Sequence, residues 1–177
     1  GRMADRAAAL RLGDPRSADT QMGPVCHSQH FGSIMADIGQ AVSDGARVLS
    51  GGAKDDAGPL FVQPTVLGQV DNGMTIAQKE VFGPVVVAIP FEDEQEAIAI
   101  ANDTEFGLAG GVWTSSLRRA QYVAREMNTG TVWVNTFRQT AMQAPNGGTK
   151  MSGYGREHGV EAVHEFTTLK NVMMNVA

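Results

Sequence analysis

The chain has 177 residues, of which 42% are apolar and 19% are charged, and its formal net charge is −5 at pH 7. This length and composition predict a globular domain with a sizeable core and exclude a disordered chain. The negative charge and the lack of a basic run argue against a nucleic-acid partner, and the lack of a long apolar run or a signal-peptide pattern argues against a membrane partner.

The first half of the chain is predicted to combine helices with short extended segments. Residues 2–12 are rich in Ala, Leu and Arg and predict a helix, which begins without a good capping residue, as expected if further chain precedes Gly1. Residues 28–43 place apolar side chains on one face of a helix. The continuous apolar run at 85–89 predicts a strand buried on both faces. Further extended segments are expected at 46–49 and 61–70, and a short helix or turn at 75–80.

The second half alternates strands with helices. Asp93, followed three residues later by Glu96, has the spacing of a capping box and predicts a helix that runs to about Ala101. The next helix is predicted to begin after Ser115, with Leu117, Ala120, Ala124 and Met127 on its apolar face. Strands are expected at 108–114 and 131–135, a short helix at 160–164 and a long strand at 166–176. This alternation predicts an α/β fold with an open parallel sheet and flanking helices.

The most distinctive stretch is residues 144–159, which read A-P-N-G-G-T-K-M-S-G-Y-G-R-E-H-G. Its five glycines permit a positive φ and close approach of the backbone, and neither a helix nor a strand easily tolerates this density. Because the stretch leads back into an apolar segment, a functional loop is favoured over a linker. The end of the loop also resembles a dinucleotide-binding fingerprint. It has one residue too many before its last glycine, and no strand leads into it, so a Rossmann phosphate loop is rejected.

This loop resembles the motif P-F-G-G-x-K-x-S-G-x-G-R-E near the C-terminus of the aldehyde dehydrogenase family. Three further stretches resemble that family in the expected order, namely E-V-F-G-P at 80–84, E-F-G-L at 105–108 and G-T-V-W-V-N at 130–135. The resemblance implies that residues 1–166 are the C-terminal portion of an aldehyde dehydrogenase catalytic domain. It also implies that residues 167–177 form an oligomerisation strand, which would make the protein a homo-oligomer through pairing with another subunit.

The resemblance implies an enzyme that oxidises a small-molecule aldehyde to a carboxylic acid with NAD or NADP. In that family a cysteine thiolate attacks the aldehyde, and a glutamate activates the water that releases the acid. Both residues, and most of the cofactor domain, precede the family segment that matches residues 2–12, so we expect the nucleophile to lie upstream and this chain alone to be inactive. The alternative is a non-catalytic truncated relative that acts as an oligomerisation or interaction module.

Glu80 and Phe82 are the candidate cofactor-binding residues. In similar enzymes this glutamate accepts hydrogen bonds from the ribose hydroxyls of the nicotinamide half, and the phenylalanine packs beside the nicotinamide. A carboxylate suits that role because it can accept from both hydroxyls. On spacing alone, the same residues would be interpreted as a surface glutamate and a core phenylalanine.

The candidate substrate residues lie further along the chain. Phe137 and Met142 match the loop that borders the substrate entrance in similar enzymes, with core packing as the alternative. Asn146 stands where the family motif has an aromatic phenylalanine, which predicts a more polar substrate or a lineage moved away from aldehyde oxidation. Glu157 is the candidate for a supporting catalytic role, such as proton movement, with a helix-start carboxylate as the alternative.

Cys26 is the only cysteine, so no internal disulfide can form, which fits a reducing, cytoplasmic location. Its neighbour His27 could favour a thiolate, but adjacent residues do not face each other on a helix. A buried or semi-exposed thiol is therefore favoured over a nucleophile. Cys26, His27 and His30 match no common zinc spacing and show no fourth ligand, so no metal site is predicted.

Overall fold

The structure is a computed structural model that describes residues 1–176. The chain divides into two compact units, residues 1–91 and residues 92–177. The division falls after Phe91, within the portion predicted as one catalytic-domain segment, and the predicted boundary between residues 166 and 167 stays a prediction. The assignment of residues 167–177 to subunit pairing stays a prediction. No helix among the described residues is long and apolar enough to cross a membrane.

The first unit is a small mixed sheet covered by helices. Its elements are α1 (Arg2–Ala8), α2 (Ser28–Ser43), β1 (Arg47–Ser50), β2 (Thr65–Gly68), α3 (Thr75–Gln78) and β3 (Val85–Val87). The strand order is β1-β2-β3, with β1 antiparallel and β3 parallel to β2. Leu67 of the central strand is fully buried and packs in one cluster with Ala41 of α2 and Ile76 of α3.

Helix α2 has the bounds that its apolar periodicity predicts. Ile34, Ile38 and Ala41, spaced four and three residues apart, are its buried residues. The imidazole of His27 caps the helix, since its Nδ1 accepts from the backbone N–H of His30 at 3.1 Å. The helix is thereby fixed at its start and along one face.

Two predictions in this unit are wrong. Helix α1 ends at Ala8 and not at Leu12, because the carbonyl of Arg11 accepts from the N–H groups of Gln21 and Met22 and so cannot continue a helix. Strand β3 is not buried on both faces: it lies at the edge of the sheet, and Val86 is 42% exposed. A continuous apolar run therefore does not distinguish an edge strand from a strand that is buried on both faces.

The second unit begins with helix α4. Its elements are α4 (Glu94–Asn102), β4 (Phe106–Gly107), β5 (Ala109–Val112), α5 (Leu117–Glu126), β6 (Thr131–Val134), β7 (Thr149–Lys150) and α6 (Glu161–Glu165). The strands β5 and β6 are parallel and are connected through α5, as the alternation predicts. The strands β4 and β7 form a separate antiparallel pair. The α/β class is confirmed, but the parallel pairs belong to separate small sheets and not to one open sheet.

The helix starts of this unit follow from capping side chains. Asp93 accepts from the N–H of Glu96 at 2.9 Å, and the Glu96 carboxylate accepts from the N–H of Glu92. Helix α5 is capped by Ser116, one residue later than predicted. On the predicted apolar face of α5, Ala120 is buried but Leu117 is 73% exposed.

The predicted strand at 166–176 does not form in this structure. Helix α6 ends at Glu165, and residues 167–176 have no regular secondary structure. Phe166, Leu169 and Val176 are each more than 90% exposed. A strand needs a hydrogen-bonded neighbour, and the part of the chain that the structure describes offers this segment none.

Candidate functional site

Phe82 occupies a constrained corner of the first unit, between α3 and β3. Its φ is +54°, a left-handed conformation that bulky residues rarely adopt. Its carbonyl lies 2.8 Å from His30 Nε2, and its ring is tilted against the His30 ring at a centroid distance of 6.0 Å. Since a carbonyl only accepts, Nε2 of His30 carries the proton. The first turn of α2 therefore holds the backbone of Phe82, while its side chain remains 75% exposed.

An open groove of about 440 Å³ runs beside this corner, and most of its lining is apolar. It is lined by Met22, Gly23, Val25, Val62, Phe82, Gly83 and Pro84. Gly83 permits the close packing behind it, since a Cβ there would lie 2.7 Å from the Cδ1 of Ile34. Such a groove suits a flat apolar or aromatic ring.

Glu80 precedes this corner and is exposed. Its neighbour Lys79 is tied to α2, because its Nζ donates to both carboxylate oxygens of Asp37 at 2.7 and 2.9 Å. The carboxylate of Glu80 receives no hydrogen bond or ion pair from the described residues. It is thus available to accept hydrogen bonds from a ligand.

The glycine loop of the second unit is closed at its base. Asn146 and Glu157 exchange two backbone N–H to carbonyl bonds of 2.7 Å each. Between them, Arg156 donates from Nη1 to the carbonyls of Gly148 at 2.9 Å and Gly155 at 2.6 Å. The loop is therefore an ordered turn that is cross-linked through its own carbonyls.

A cavity of about 540 Å³ lies against this loop. Its lining comes from the loop itself, from Leu108 and from the α6 region, and comprises Leu108, Asn146, Gly147, Gly148, Ser152, Tyr154, Gly155, Arg156, Glu157, His158, Ala162, Glu165 and Phe166. The structure thus brings the predicted residues Asn146 and Glu157 to one cavity. The Glu157 residue is exposed and lies ahead of α6, so it is not a helix-start carboxylate.

Sequence reasoning missed His158. It lines the same cavity, has a φ of +61°, and its Nδ1 is buried without a hydrogen-bond partner among residues 1–176. A histidine directly after the R-E pair of the glycine loop was the available signal. A buried ring nitrogen of this kind is a polar group open to a ligand or water.

Phe137 and Met142 lie elsewhere in the second unit. Phe137 is 64% exposed and packs edge-on against Trp133 at a centroid distance of 5.4 Å. Met142 is 72% exposed, and its carbonyl accepts from the N–H of Gly159. Neither residue lines the 540 Å³ cavity, and their exposure argues against the core-packing alternative.

Cys26, His27 and His30 come together at the start of α2. Their ligating atoms all lie within 4.8 Å of one another. The objection that adjacent helical residues do not face each other does not apply, because Cys26 and His27 precede the helix. Cys26 is exposed and not buried.

The shifted pKa values among the described residues occur away from these features. The side-chain hydrogen bonds of Arg16 hold the pKa of the Asp14 carboxyl below its usual value, and Asp14 in turn raises the pKa of Arg16. The pair is exposed, with Nη2 of Arg16 2.7 Å from Oδ2 of Asp14. It lies in the turn that follows α1.

The α/β units, the apolar groove and the cross-linked glycine loop are the features with which the comparisons with known proteins can be set. The sequence model of the aldehyde dehydrogenase family matches residues 1–172, and the chain belongs to that family. The four motifs that suggested the family from the residues alone thus led to the correct one.

Individual relatives agree with this assignment. The chain is 44% identical over 175 residues to betaine aldehyde dehydrogenase of Cereibacter sphaeroides, covering 99% of this chain and 36% of that protein. A crystal structure of Staphylococcus aureus betaine aldehyde dehydrogenase in complex with NAD+ is 44% identical, with a TM-score of 0.89 over 93% of this chain and 34% of that one. A Bacillus cereus aldehyde dehydrogenase variant is 38% identical, with a TM-score of 0.95 over 99% of this chain and 36% of that one. The chain thus spans about a third of the length of these relatives.

Proposed function

We propose that this chain is part of an NAD-dependent aldehyde dehydrogenase that oxidises an aldehyde to a carboxylic acid. The observation that carries the proposal is the Phe82 corner. An exposed aromatic ring, whose backbone carbonyl is held by His30, lies at the edge of an apolar groove, and the free carboxylate of Glu80 is close by in the chain. The family membership supplies the reaction type. The identity of 44% between this chain and a betaine aldehyde dehydrogenase supports aldehyde oxidation as the reaction.

The residues of the Phe82 corner fit the nicotinamide half of NAD. The exposed ring of Phe82 offers an apolar face to the nicotinamide, and the Glu80 carboxylate can accept from both ribose hydroxyls. When bound, NAD supplies the hydride acceptor for the oxidation. NAD is preferred over NADP because the S. aureus relative was solved with NAD+.

The cavity beside the glycine loop is proposed to contact the aldehyde substrate. Asn146 and Glu157 both line it, and Asn146 stands where the family motif has a phenylalanine. This polarity favours an aldehyde that bears a polar or cationic group, consistent with relatives named betaine aldehyde dehydrogenase. Glu157 supports the reaction from this cavity, and Phe137 and Met142 border the substrate entrance.

The reactive cysteine and the general-base glutamate are proposed to lie ahead of Gly1. Cys26 is a poor substitute, because it follows the Gly23-Pro24 stretch, which resembles a structural loop of the family and not its nucleophile motif. We therefore expect no NADH when the 177-residue chain is mixed with NAD and aldehydes. Turnover by this chain alone would contradict the placement, as would a coding sequence ahead of Gly1 that lacks both residues.

The cofactor role is tested by NAD titration of the longer protein that contains this chain. Glu80→Gln and Phe82→Ala are each expected to raise the Kd for NAD by about tenfold, since each removes one contact of about 1.5 kcal/mol. Glu92→Gln and Phe91→Ala are matched controls, because both residues are exposed and lie outside the site. Unchanged NAD affinity in both test variants would exclude the cofactor assignment.

An interaction module is the second candidate. It is favoured by the exposed apolar side chains of the C-terminal segment, among them Phe166, Leu169 and Val176. Exposed apolar stretches of this kind mark association surfaces. Self-association of a chain whose natural coding sequence includes no upstream cysteine would favour this candidate over the enzyme.

A further inference from the structure

We propose that Cys26, His27 and His30 bind a Zn²⁺ ion, with water completing its coordination. The three ligating atoms lie within 4.8 Å of one another at the start of α2. Thiolate sulfur and imidazole nitrogen are the ligand atoms that Zn²⁺ prefers, and open zinc sites combine three protein ligands with one water. The chain spacing of these ligands is unusual, but the loop before α2 brings them together.

The orientation of His30 supports metal binding. Its Nε2–H donates to the carbonyl of Phe82 at 2.8 Å, so the lone pair of the neutral ring is on Nδ1. Metal-binding histidines commonly donate their second ring N–H to a carbonyl in this way, which fixes the tautomer and the ring direction. His30 is therefore already in the form that a metal ion needs.

His27 and Cys26 each change on binding. Nδ1 of His27 accepts from the His30 N–H at 3.1 Å, so its lone pair already points toward the start of α2, and the ion replaces this capping bond. The Cys26 thiol loses its proton to solvent as the sulfur–zinc bond forms. Zinc bond lengths of about 2.0 to 2.3 Å bring ligand atoms to within about 3.5 Å of each other. Cys26 and His27 are exposed, so these side chains can close on the ion from the separations observed.

The ligand chemistry selects the ion. Mg²⁺ and Ca²⁺ prefer oxygen ligands, whereas a thiolate with two imidazoles suits Zn²⁺ and the neighbouring late transition metals, of which Zn²⁺ is the one that causes no redox change at the thiolate. His30 holds the backbone of Phe82, but none of the three ligands is itself assigned to contact the aldehyde or the cofactor, and zinc binding is measured without NAD. Zinc binding can therefore succeed or fail whether or not the proposed function holds.

Competition with a chromophoric chelator tests the site on the full chain in the absence of NAD. We expect one Zn²⁺ per chain, and at least a tenfold loss of affinity in each of Cys26→Ser, His27→Asn and His30→Gln. His27→Asn is the sharpest variant, because asparagine keeps a good helix cap while it removes the imidazole. The matched control is His164→Gln, an exposed histidine of the second unit that should leave zinc affinity unchanged.

Cobalt substitution gives a second measurement that does not depend on variants. Because Cys26 is the only cysteine, a thiolate-to-cobalt charge-transfer band in the wild-type chain identifies it as a ligand. That band should disappear in Cys26→Ser. Absence of the band in wild type, absence of stoichiometric zinc binding, or wild-type affinity in all three ligand variants would each overturn the proposal.

Discussion

Asn146 and Glu157 pair through two backbone hydrogen bonds of 2.7 Å across the base of the glycine loop. The bridge uses only main-chain atoms, so the side chain at position 146 takes no part in closing the loop. Both residues line the 540 Å³ cavity. The cavity surface at this position can therefore be altered while the loop geometry is kept.

Asn146→Phe is expected to shift substrate preference in the longer protein toward aromatic and aliphatic aldehydes. The substitution replaces an amide by an apolar ring, a difference worth about 1 to 3 kcal/mol in a binding pocket, or roughly tenfold or more. The measurement is the ratio of kcat/KM for an aromatic aldehyde to that for a cationic aldehyde, with Asn146→Ala as the control for loss of the amide alone. An unchanged ratio in Asn146→Phe would exclude Asn146 as a specificity residue.

Gly130→Ala is expected to lower the free energy of unfolding by about 1 to 3 kcal/mol, the usual cost of overpacking. A Cβ at this position would overlap the carbonyl oxygen of Gly147, which is backbone and cannot rotate away. Urea unfolding followed by tryptophan fluorescence reports on this unit, because both tryptophans, Trp113 and Trp133, belong to it.

The matched control for this substitution is Gly39→Ala, in an exposed turn of α2 where a Cβ would meet nothing within 4 Å. Helix α2 belongs to the first unit, which has no tryptophan, so the unfolding of both variants is also followed by far-UV circular dichroism. Here alanine should raise the free energy of unfolding by about 0.5 to 1 kcal/mol, because it restricts the unfolded chain and has a higher helix propensity. Equal effects at positions 39 and 130 would show that backbone entropy, not the close approach to Gly147, governs the second position.

Local patterns in the sequence predicted the elements that depend on local physics. The bounds of α2 follow from the spacing of its apolar residues. The start of α4 follows from the single capping side chain of Asp93. The β5–α5–β6 unit follows from alternation and a helix cap. These features need no knowledge of distant contacts, which is why they could be predicted.

The wrong predictions depend on contacts that are distant in the chain. Helix α1 ends early because the carbonyl of Arg11 accepts hydrogen bonds from residues 21 and 22. Strand β3 is an edge strand because it pairs with β2 on one side and with no further strand of this sheet on the other. The meeting of Cys26 with His30 depends on where the loop ahead of α2 turns. The closure of the glycine loop by Arg156 depends on carbonyls that no side-chain pattern reveals.

The pKa of Asp14 provides a test of the turn after α1. Arg16 lowers the folded-state pKa of this carboxyl below its usual 3.8, so the stabilisation is present above that value and is lost as pH falls through the folded pKa. Arg16→Gln should return the pKa of Asp14 toward 3.8, measured by NMR titration of the carboxyl carbon. Arg118→Gln, a change in α5, is the control that should leave the pKa of Asp14 unchanged.

Val172→Pro is expected to weaken self-association of the chain. If residues 167–177 pair as a strand with a second subunit, proline removes one N–H donor and distorts the strand, which should raise the dimer dissociation constant by about tenfold or more. Val172→Thr is the matched control, because threonine is β-branched and keeps the backbone donor. Analytical ultracentrifugation at several concentrations measures both. A wild-type chain that sediments as a monomer at all concentrations, or a proline variant that associates like wild type, would contradict pairing through this segment.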